Sequence, residues 1–336
     1  MRILVTGGTG FLGRHIVWRL NALGYDVVFT GRNRQRASDV LKYTGSSKGD
    51  LAFIALDHGT ASSARALHAA AEGAQAIVHC AALTSPWGNR RDFERANIAS
   101  TREVIDACVA RDIARLVHIS TPSLYFDFRD RRLIRENQPL PPPVNEYART
   151  KGMAEQMVVR SEIETVIALR PRAIFGPWDN TLMPRLLRVA RRMRLPLMRE
   201  GRALVDFTYI DNAVDAVLLA LSANLKRGTF NISNGQPMTV IELFKALALA
   251  FGFEPRFQRV PYSLLYAFAA LIEGGAIFAP GWEPPITRYS IGTLAFSQTL
   301  DLTHAYERLG YRPQLSTAEG LQRTAAWFAA HEKAYL

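Results

Sequence analysis

Cysteine and lysine are both scarce: the 336-residue chain has two of the first and six of the second. Two thiols make no disulfide framework. Cys80 and Cys108 fall in different predicted elements, so both are expected reduced and buried in a cytoplasmic protein. The seven histidines show no H-x-x-x-H spacing and the cysteines no C-x-x-C, which argues against a metal site. Long apolar runs are missing too. The most apolar stretch, 262–280, is interrupted by Glu273 and Gly274-Gly275, and its clean part is about half the roughly 20 residues a membrane span requires. It is expected as a buried helix of a C-terminal domain, with peripheral contact to a membrane surface as the second reading. Met1-Arg2-Ile3-Leu4-Val5 already reads as a strand, which leaves no room for a signal peptide.

What is present is ordinary for a folded chain: 48% hydrophobic, 21% charged, mean hydropathy −0.02. The length suits about two domains. Net charge is +11, and 35 of the 41 basic residues are arginine. Such a surplus can serve a nucleic acid, an anionic membrane surface or an anionic ligand, or reflect proteome bias. Nucleic acid is rejected, because no aromatic interleaving or reading motif accompanies the charge.

Short β-branched runs alternate with helical stretches. Ile3–Thr6, Asp26–Thr30, Leu51–Leu56, Ala76–Cys80, Arg115–Ser120 and Thr165–Arg170 read as fully buried strands. Gly13–Leu23, Ser62–Glu72 and Ile98–Arg111 read as helices between them. Continuous apolar strands in β-α alternation predict an α/β fold, a doubly wound parallel sheet of about seven strands. Prolines 171, 177, 184 and 196 then break the rhythm, and Thr229–Ser233 is one more strand returning to the sheet. The expected division is 1–177 with 205–236 as a dinucleotide-binding unit. Residues 178–204 with 237–336 would form a smaller, discontinuous, mainly helical substrate unit.

Thr6-Gly7-Gly8-Thr9-Gly10-Phe11-Leu12-Gly13 joins the first strand to the first helix. Glycines at 7, 10 and 13 suit a tight turn, a backbone approach to pyrophosphate, and close helix–strand packing, with the helix N-terminus turned to the phosphates. The second strand ends Thr30-Gly31-Arg32, without the carboxylate that would hold the ribose 2′-OH of NAD. Arg32, Arg34 and Arg36 instead suit a 2′-phosphate, which favours NADP(H) over NAD(H). A solvated basic loop is the other reading. Asp57, closing the third strand, is either an adenine contact or a turn residue.

Tyr147 and Lys151 stand four residues apart, on one face of a predicted helix. A fixed cation beside a phenol lowers its pKa from about 10 toward the working range. Ser120-Thr121-Pro122-Ser123 closes the fifth strand, at the sheet edge where ligands bind. With Asn97, Leu169-Arg170-Pro171, Ile174-Phe175-Gly176-Pro177 and Val205-Asp206-Phe207-Thr208-Tyr209-Ile210-Asp211-Asn212, these motifs resemble the extended short-chain dehydrogenase/reductase family over nearly the whole chain.

That resemblance implies Tyr147 as general acid/base, Lys151 as its electrostatic partner, and Thr121 as the hydroxyl that holds the substrate oxygen, with Ser123 the fallback. Ser120 is expected to pack or turn the strand, and Asn97 to be structural or part of a water relay. Cofactor contacts are implied at Gly7, Thr9, Gly10, Phe11, Leu12, Gly13, Arg32, Asp57, Ala81, Tyr147, Lys151 and Pro171. Ala82-Leu83-Thr84-Ser85-Pro86-Trp87-Gly88 and Ile119–Ser123 are most similar to the 3β-hydroxysteroid dehydrogenase-like branch, which includes reductases of 2-alkyl-3-ketoacids. The implied activity is NAD(P)(H)-dependent interconversion of ketone and secondary alcohol on a small hydrophobic substrate, in a cytoplasmic protein, with a homodimer plausible. A nucleotide-sugar epimerase or reductase and a non-catalytic dinucleotide sensor are the alternatives. Arg185, Arg188, Arg191, Arg192, Arg194, Arg199 and Arg202 would serve the first of these. The leading arginines are expected instead on a solvated helix face opposite Leu182, Leu186, Val189 and Met193.

Overall fold

The seven apolar runs pair into one parallel sheet, a computed structural model describing residues 1–43, 48–60, 62–192, 194–276, 278 and 281–331, without the side chains of 191 and 192. Its strands are β1 (Arg2–Thr6), β2 (Asp26–Gly31), β3 (Leu51–Ala55), β4 (Ala76–His79), β5 (Arg115–Ile119), β6 (Thr165–Pro171) and β7 (Arg227–Ile232). Their order is β7-β6-β5-β4-β1-β2-β3, each pair parallel. The winding reverses between β1 and β4, which opens a crevice at the carboxyl ends of those strands.

Alternation along each strand sends neighbouring residues to opposite faces, and both faces are covered. Leu4, Ile77, Leu116 and Val166 enter one core; Ile3, Val5, Val78, Val117 and Ile167 enter the other. Two-sided burial is why the strands read as continuous apolar runs. The expected helices are present with shifted ends: Phe11–Ala22, Ser63–Ala70, and a π turn Glu94–Ala99 that continues into Ser100–Ala110.

A second sheet was not foreseen. Its four strands, in order, are Met238–Thr239, Leu204–Val205, Gln298–Leu300 and Arg131–Ile134. Arg131–Ile134, expected within the dinucleotide-binding unit, pairs with Gln298–Leu300 near the end of the chain. Strands of two to four residues carry too little period to be read locally. Helices Val240–Phe251, Tyr262–Ala276, Arg288–Ala295 and Thr317–Ala330 supply most of the remaining C-terminal structure.

Two expectations about buried faces are corrected. Helix Leu182–Arg192 buries Met183, Leu187 and Ala190, one position round from the expected stripe, as its packing against Val240–Phe251 sets its rotation. Leu182 and Leu186 are half-buried, Val189 is exposed, and Met193 lies outside the described residues. Arg185 and Arg188 do face solvent, and Arg185 donates to Glu283 at 2.8 Å. Helix Tyr262–Ala276 is not buried all round either. Ala269, Glu273 and Ala276 face inward, while Leu264, Phe268 and Leu271 are 63%, 53% and 75% exposed. Residues 277, 279 and 280 of the apolar stretch lie outside the described residues. Among those described, no helix is long and apolar enough to cross a membrane. Both cysteines are free, and burial pushes each thiol up to about 12; Cys108 is buried as expected, Cys80 only half-buried.

Candidate active site

The turn after β1 is built by exclusion of side chains. Gly7 sits at φ +69, and a Cβ there would meet the Ala81 nitrogen at 2.8 Å; one on Gly13 would meet the Gly7 oxygen at 2.2 Å. Gly10 donates to the Gly7 carbonyl at 2.9 Å and is the N-cap of helix Phe11–Ala22. No side chain caps that helix and its first turn holds no acidic residue. Its leading N–H groups and positive end therefore suit an anion. Thr9 and Leu12 are nearly buried beside the turn and Phe11 is half-buried, while Ala81 follows β4 and Pro171 ends β6, all at the carboxyl edge of the sheet. The cradle fits the pyrophosphate of a dinucleotide.

At the end of β2, Arg32, Arg34 and Arg36 are all exposed. Arg32 Nε lies 3.8 Å from Asp57 Oδ1, and Asp57 Oδ2 lies 3.8 Å from Arg95. Both pairs are long and solvated, so they hold little. Arg34 and Arg36 open helix Arg34–Lys42, whose cap Asn33 accepts the Arg36 N–H at 2.9 Å.

The catalytic expectations converge at the end of β5. Thr121, in extended conformation, caps the short 3-10 turn Pro122–Tyr125 by accepting the Ser123 N–H at 3.2 Å. Its hydroxyl donates to Ser123 Oγ at 3.0 Å, and Ser123 Oγ lies 2.7 Å from the Tyr289 hydroxyl. Asn145 caps helix Glu146–Val159, accepting the Ala148 N–H at 2.8 Å. That helix sets Tyr147 beside Thr121, whose side chain partly offsets the effect of burial on the phenol. Ser120 is buried, its hydroxyl without a partner among the described residues.

Lys151 lies on the same helix, 3% exposed, but its ammonium donates to the Ile119 carbonyl at 2.5 Å. Its Nζ is also 3.4 Å from His118 Nε2. Burial pushes the Lys151 amine down to about 8 and the Tyr147 phenol up to about 12. The second shift is opposite to the one expected. Desolvation dominates the phenol, and the Lys151 ammonium is turned toward β5, where it bonds the Ile119 carbonyl. Sequence reasoning missed His118 and its neighbour His79, which face each other across β5 and β4 with ring centroids 5.4 Å apart. Burial holds both well below the usual histidine range, hence neutral. A histidine following the apolar run of each of these two neighbouring strands was the available signal.

Several motif residues are structural. Asn97 accepts the Leu83 N–H at 2.7 Å and donates to Thr150 at 2.9 Å, which ties the loop after β4 to helix Glu146–Val159. Arg170 binds Glu155, with Nε to Oε2 at 2.8 Å, and so staples β6 to that helix. Asp206 accepts the Leu300 N–H at 2.7 Å. At the N-terminal end of helix Glu146–Val159 lies a cavity of about 310 Å³ whose wall includes Trp87, Phe128, Tyr266 and Tyr289 together with Glu146, Glu273 and Arg288. A larger depression, about 790 Å³, lies between helices Val240–Phe251 and Thr317–Ala330 and includes none of these residues.

Residues 3–233 match the model of the NAD dependent epimerase/dehydratase family. The chain belongs to this family. A 2-alkyl-3-oxoalkanoate reductase of Stenotrophomonas maltophilia (strain K279a) is 36% identical, over 98% of this chain and 100% of that protein. A sterol-4-alpha-carboxylate 3-dehydrogenase, decarboxylating, of Mus musculus is 27% identical, over 96% and 90%. Among solved structures, MoeE5 in complex with UDP-glucose and NAD aligns with a TM-score of 0.76 at 24% identity, covering 99% of this chain and all of that one. That last likeness concerns the fold. This family member is an oxidoreductase that depends on a nicotinamide dinucleotide.

Proposed function

We propose that this oxidoreductase interconverts a ketone and a secondary alcohol on a hydrophobic substrate of the 3-oxo acid or 3-hydroxysteroid kind, with NADP(H) as its preferred cofactor. The pairing of Tyr147 with Thr121 carries the reading: the two side chains lie together at the carboxyl edge of the sheet, and Ser123 links Thr121 to Tyr289 in the wall of a cavity that is aromatic in part. A carbonyl oxygen held between them accepts a bond from Thr121 and the proton of Tyr147 as negative charge develops on it. When bound, the dinucleotide supplies the hydride to the carbonyl carbon. Tyr147 keeps its proton until that moment, since burial holds the phenol neutral. The ammonium of Lys151, under the same helix, offers positive charge to the site and a hydrogen-bond donor to a ribose. Gly7, Gly10 and Gly13 shape the pyrophosphate seat, and Phe11 and Leu12 lie at the helix end that faces it. The exposed guanidiniums of Arg32, Arg34 and Arg36 supply charge for a 2′-phosphate where a carboxylate would exclude one.

The cavity also bears on substrate delivery. Helix Tyr262–Ala276 lines it with Tyr266 and Glu273 and presents Leu264, Phe268 and Leu271 outward. In a chain of net charge +11, we place this side of the molecule against an anionic membrane surface, from which an apolar substrate would enter.

Tyr147→Phe tests the core of the proposal. It should still bind NADPH, followed by nicotinamide fluorescence, yet lose at least a hundredfold in kcat on a long-chain 3-oxo ester, because only the proton donor is removed. Near-normal turnover in this variant would overturn the assignment.

A further inference from the structure

Arg172 follows directly on β6, at the sheet edge that carries Thr121. Its side chain is 7% exposed, and no carboxylate of the described residues comes within 4 Å of it. The buried Nε has no hydrogen-bond partner among the described residues. The other deeply buried arginine of this region, Arg170, is matched by Glu155. Arg172 is not matched. Asp206 and Tyr289 are the polar groups whose fields reach it. Asp206 is itself buried: its Oδ2 accepts the Leu300 N–H, its Oδ1 has no hydrogen-bond partner among the described residues, and burial pushes the carboxyl up to about 6. Tyr289 is bonded through Ser123 to Thr121, beside which Tyr147 stands.

A guanidinium cannot relieve its burial by releasing a proton under ordinary conditions, so an anion is its natural complement. The pyrophosphate seat does not provide one. It lies after β1, three strands away, about 14 Å at the usual strand spacing. Asp206 acts on it only from beyond ion-pair distance, as a carboxyl already pushed up to about 6 by burial, so a direct partner is left to the substrate. We propose that Arg172 receives the carboxylate of a 3-oxo acid, one carbon removed from the ketone held by Thr121 and Tyr147, so that the enzyme selects the acid over its neutral derivatives. This assignment rests on the ketone reading above. The planar fork of Arg172 would accept the two carboxylate oxygens side by side.

The test compares 3-oxododecanoate with its methyl ester, reading NADPH oxidation by absorbance for the protein as isolated and for Arg172→Met, Arg172→Gln and Arg172→Lys. The expected result is a kcat/KM at least tenfold higher for the acid than for the ester in the unaltered protein. Arg172→Met should lower the acid-to-ester ratio at least thirtyfold, with Arg172→Lys between the two. A purely structural role would depress both substrates together and leave the ratio in place. Should Arg172→Met fail to bind NADPH, the isopolar Arg172→Gln gives the same reading. A ratio unchanged in the variant that binds NADPH overturns the assignment, as does an unaltered protein that reduces the ester and shows no preference for the acid. If the unaltered protein reduces neither compound, the ketone reading itself fails and Arg172 falls with it.

Discussion

Lys151 is kept at a cost, and the cost can be measured. Its ammonium is almost wholly buried, bonded to the Ile119 carbonyl, and without a carboxylate within 4 Å among the described residues. Burial lowers its pKa from 10.5 to about 8. Between those two values the unfolded chain holds this proton and the folded one does not. The burden on stability is therefore complete below about pH 8 and is relieved as pH rises toward 10.5. At 1.36 kcal/mol per pH unit the relief comes to about 3 kcal/mol. Lys151→Met removes the titration while keeping an unbranched side chain. Urea unfolding of both proteins without cofactor, at steps from pH 7.5 to 10.5, gives the difference in unfolding free energy, and groups common to both cancel. That difference should move in favour of the lysine protein by about 3 kcal/mol across the window, while Lys151→Met loses most turnover. A difference that stays flat would show that the ammonium is not desolvated in the folded state, and the reasoning would fail.

Two further outcomes follow from the surface of the molecule. Arg32→Ala should raise the Kd for NADPH about tenfold or more and leave NADH nearly unchanged, since a charge-assisted contact is worth about 1.5–3 kcal/mol; equal losses for both, in a fluorescence titration, would return Arg32 to the solvated-loop reading. Leu271→Asp, at a position 75% exposed, should leave soluble-substrate turnover intact and reduce co-sedimentation with anionic phosphatidylglycerol vesicles severalfold. Unchanged sedimentation would remove the membrane surface from the proposal.

Legibility in the sequence followed the reach of the forces involved. The parallel sheet was readable because strands buried on both faces are apolar throughout, and each expected strand lies within a residue or two of its observed ends. The glycine turn was readable for a steric reason, as a Cβ on Gly7 or Gly13 would strike backbone atoms. The stripe of helix Leu182–Arg192 was misplaced by one position because alternate apolar sets satisfy the same period, and only its packing partner chooses between them. The strand Arg131–Ile134 was missed because its partner lies more than 160 residues away.

By itself the sequence determined the fold class, the phosphate turn and the helical spacing of Tyr147 and Lys151, all of which express local conformational demands and burial period. Tertiary structure alone decided what those groups do to one another. It set Tyr147 beside Thr121, turned Lys151 toward Ile119 and His118, matched Arg170 with Glu155, and left the buried Nε of Arg172 without a hydrogen-bond partner among the described residues. The reason is that charge and hydrogen bonding depend on solvent exclusion and on distances between segments remote in the chain. Spacing along the chain fixes neither.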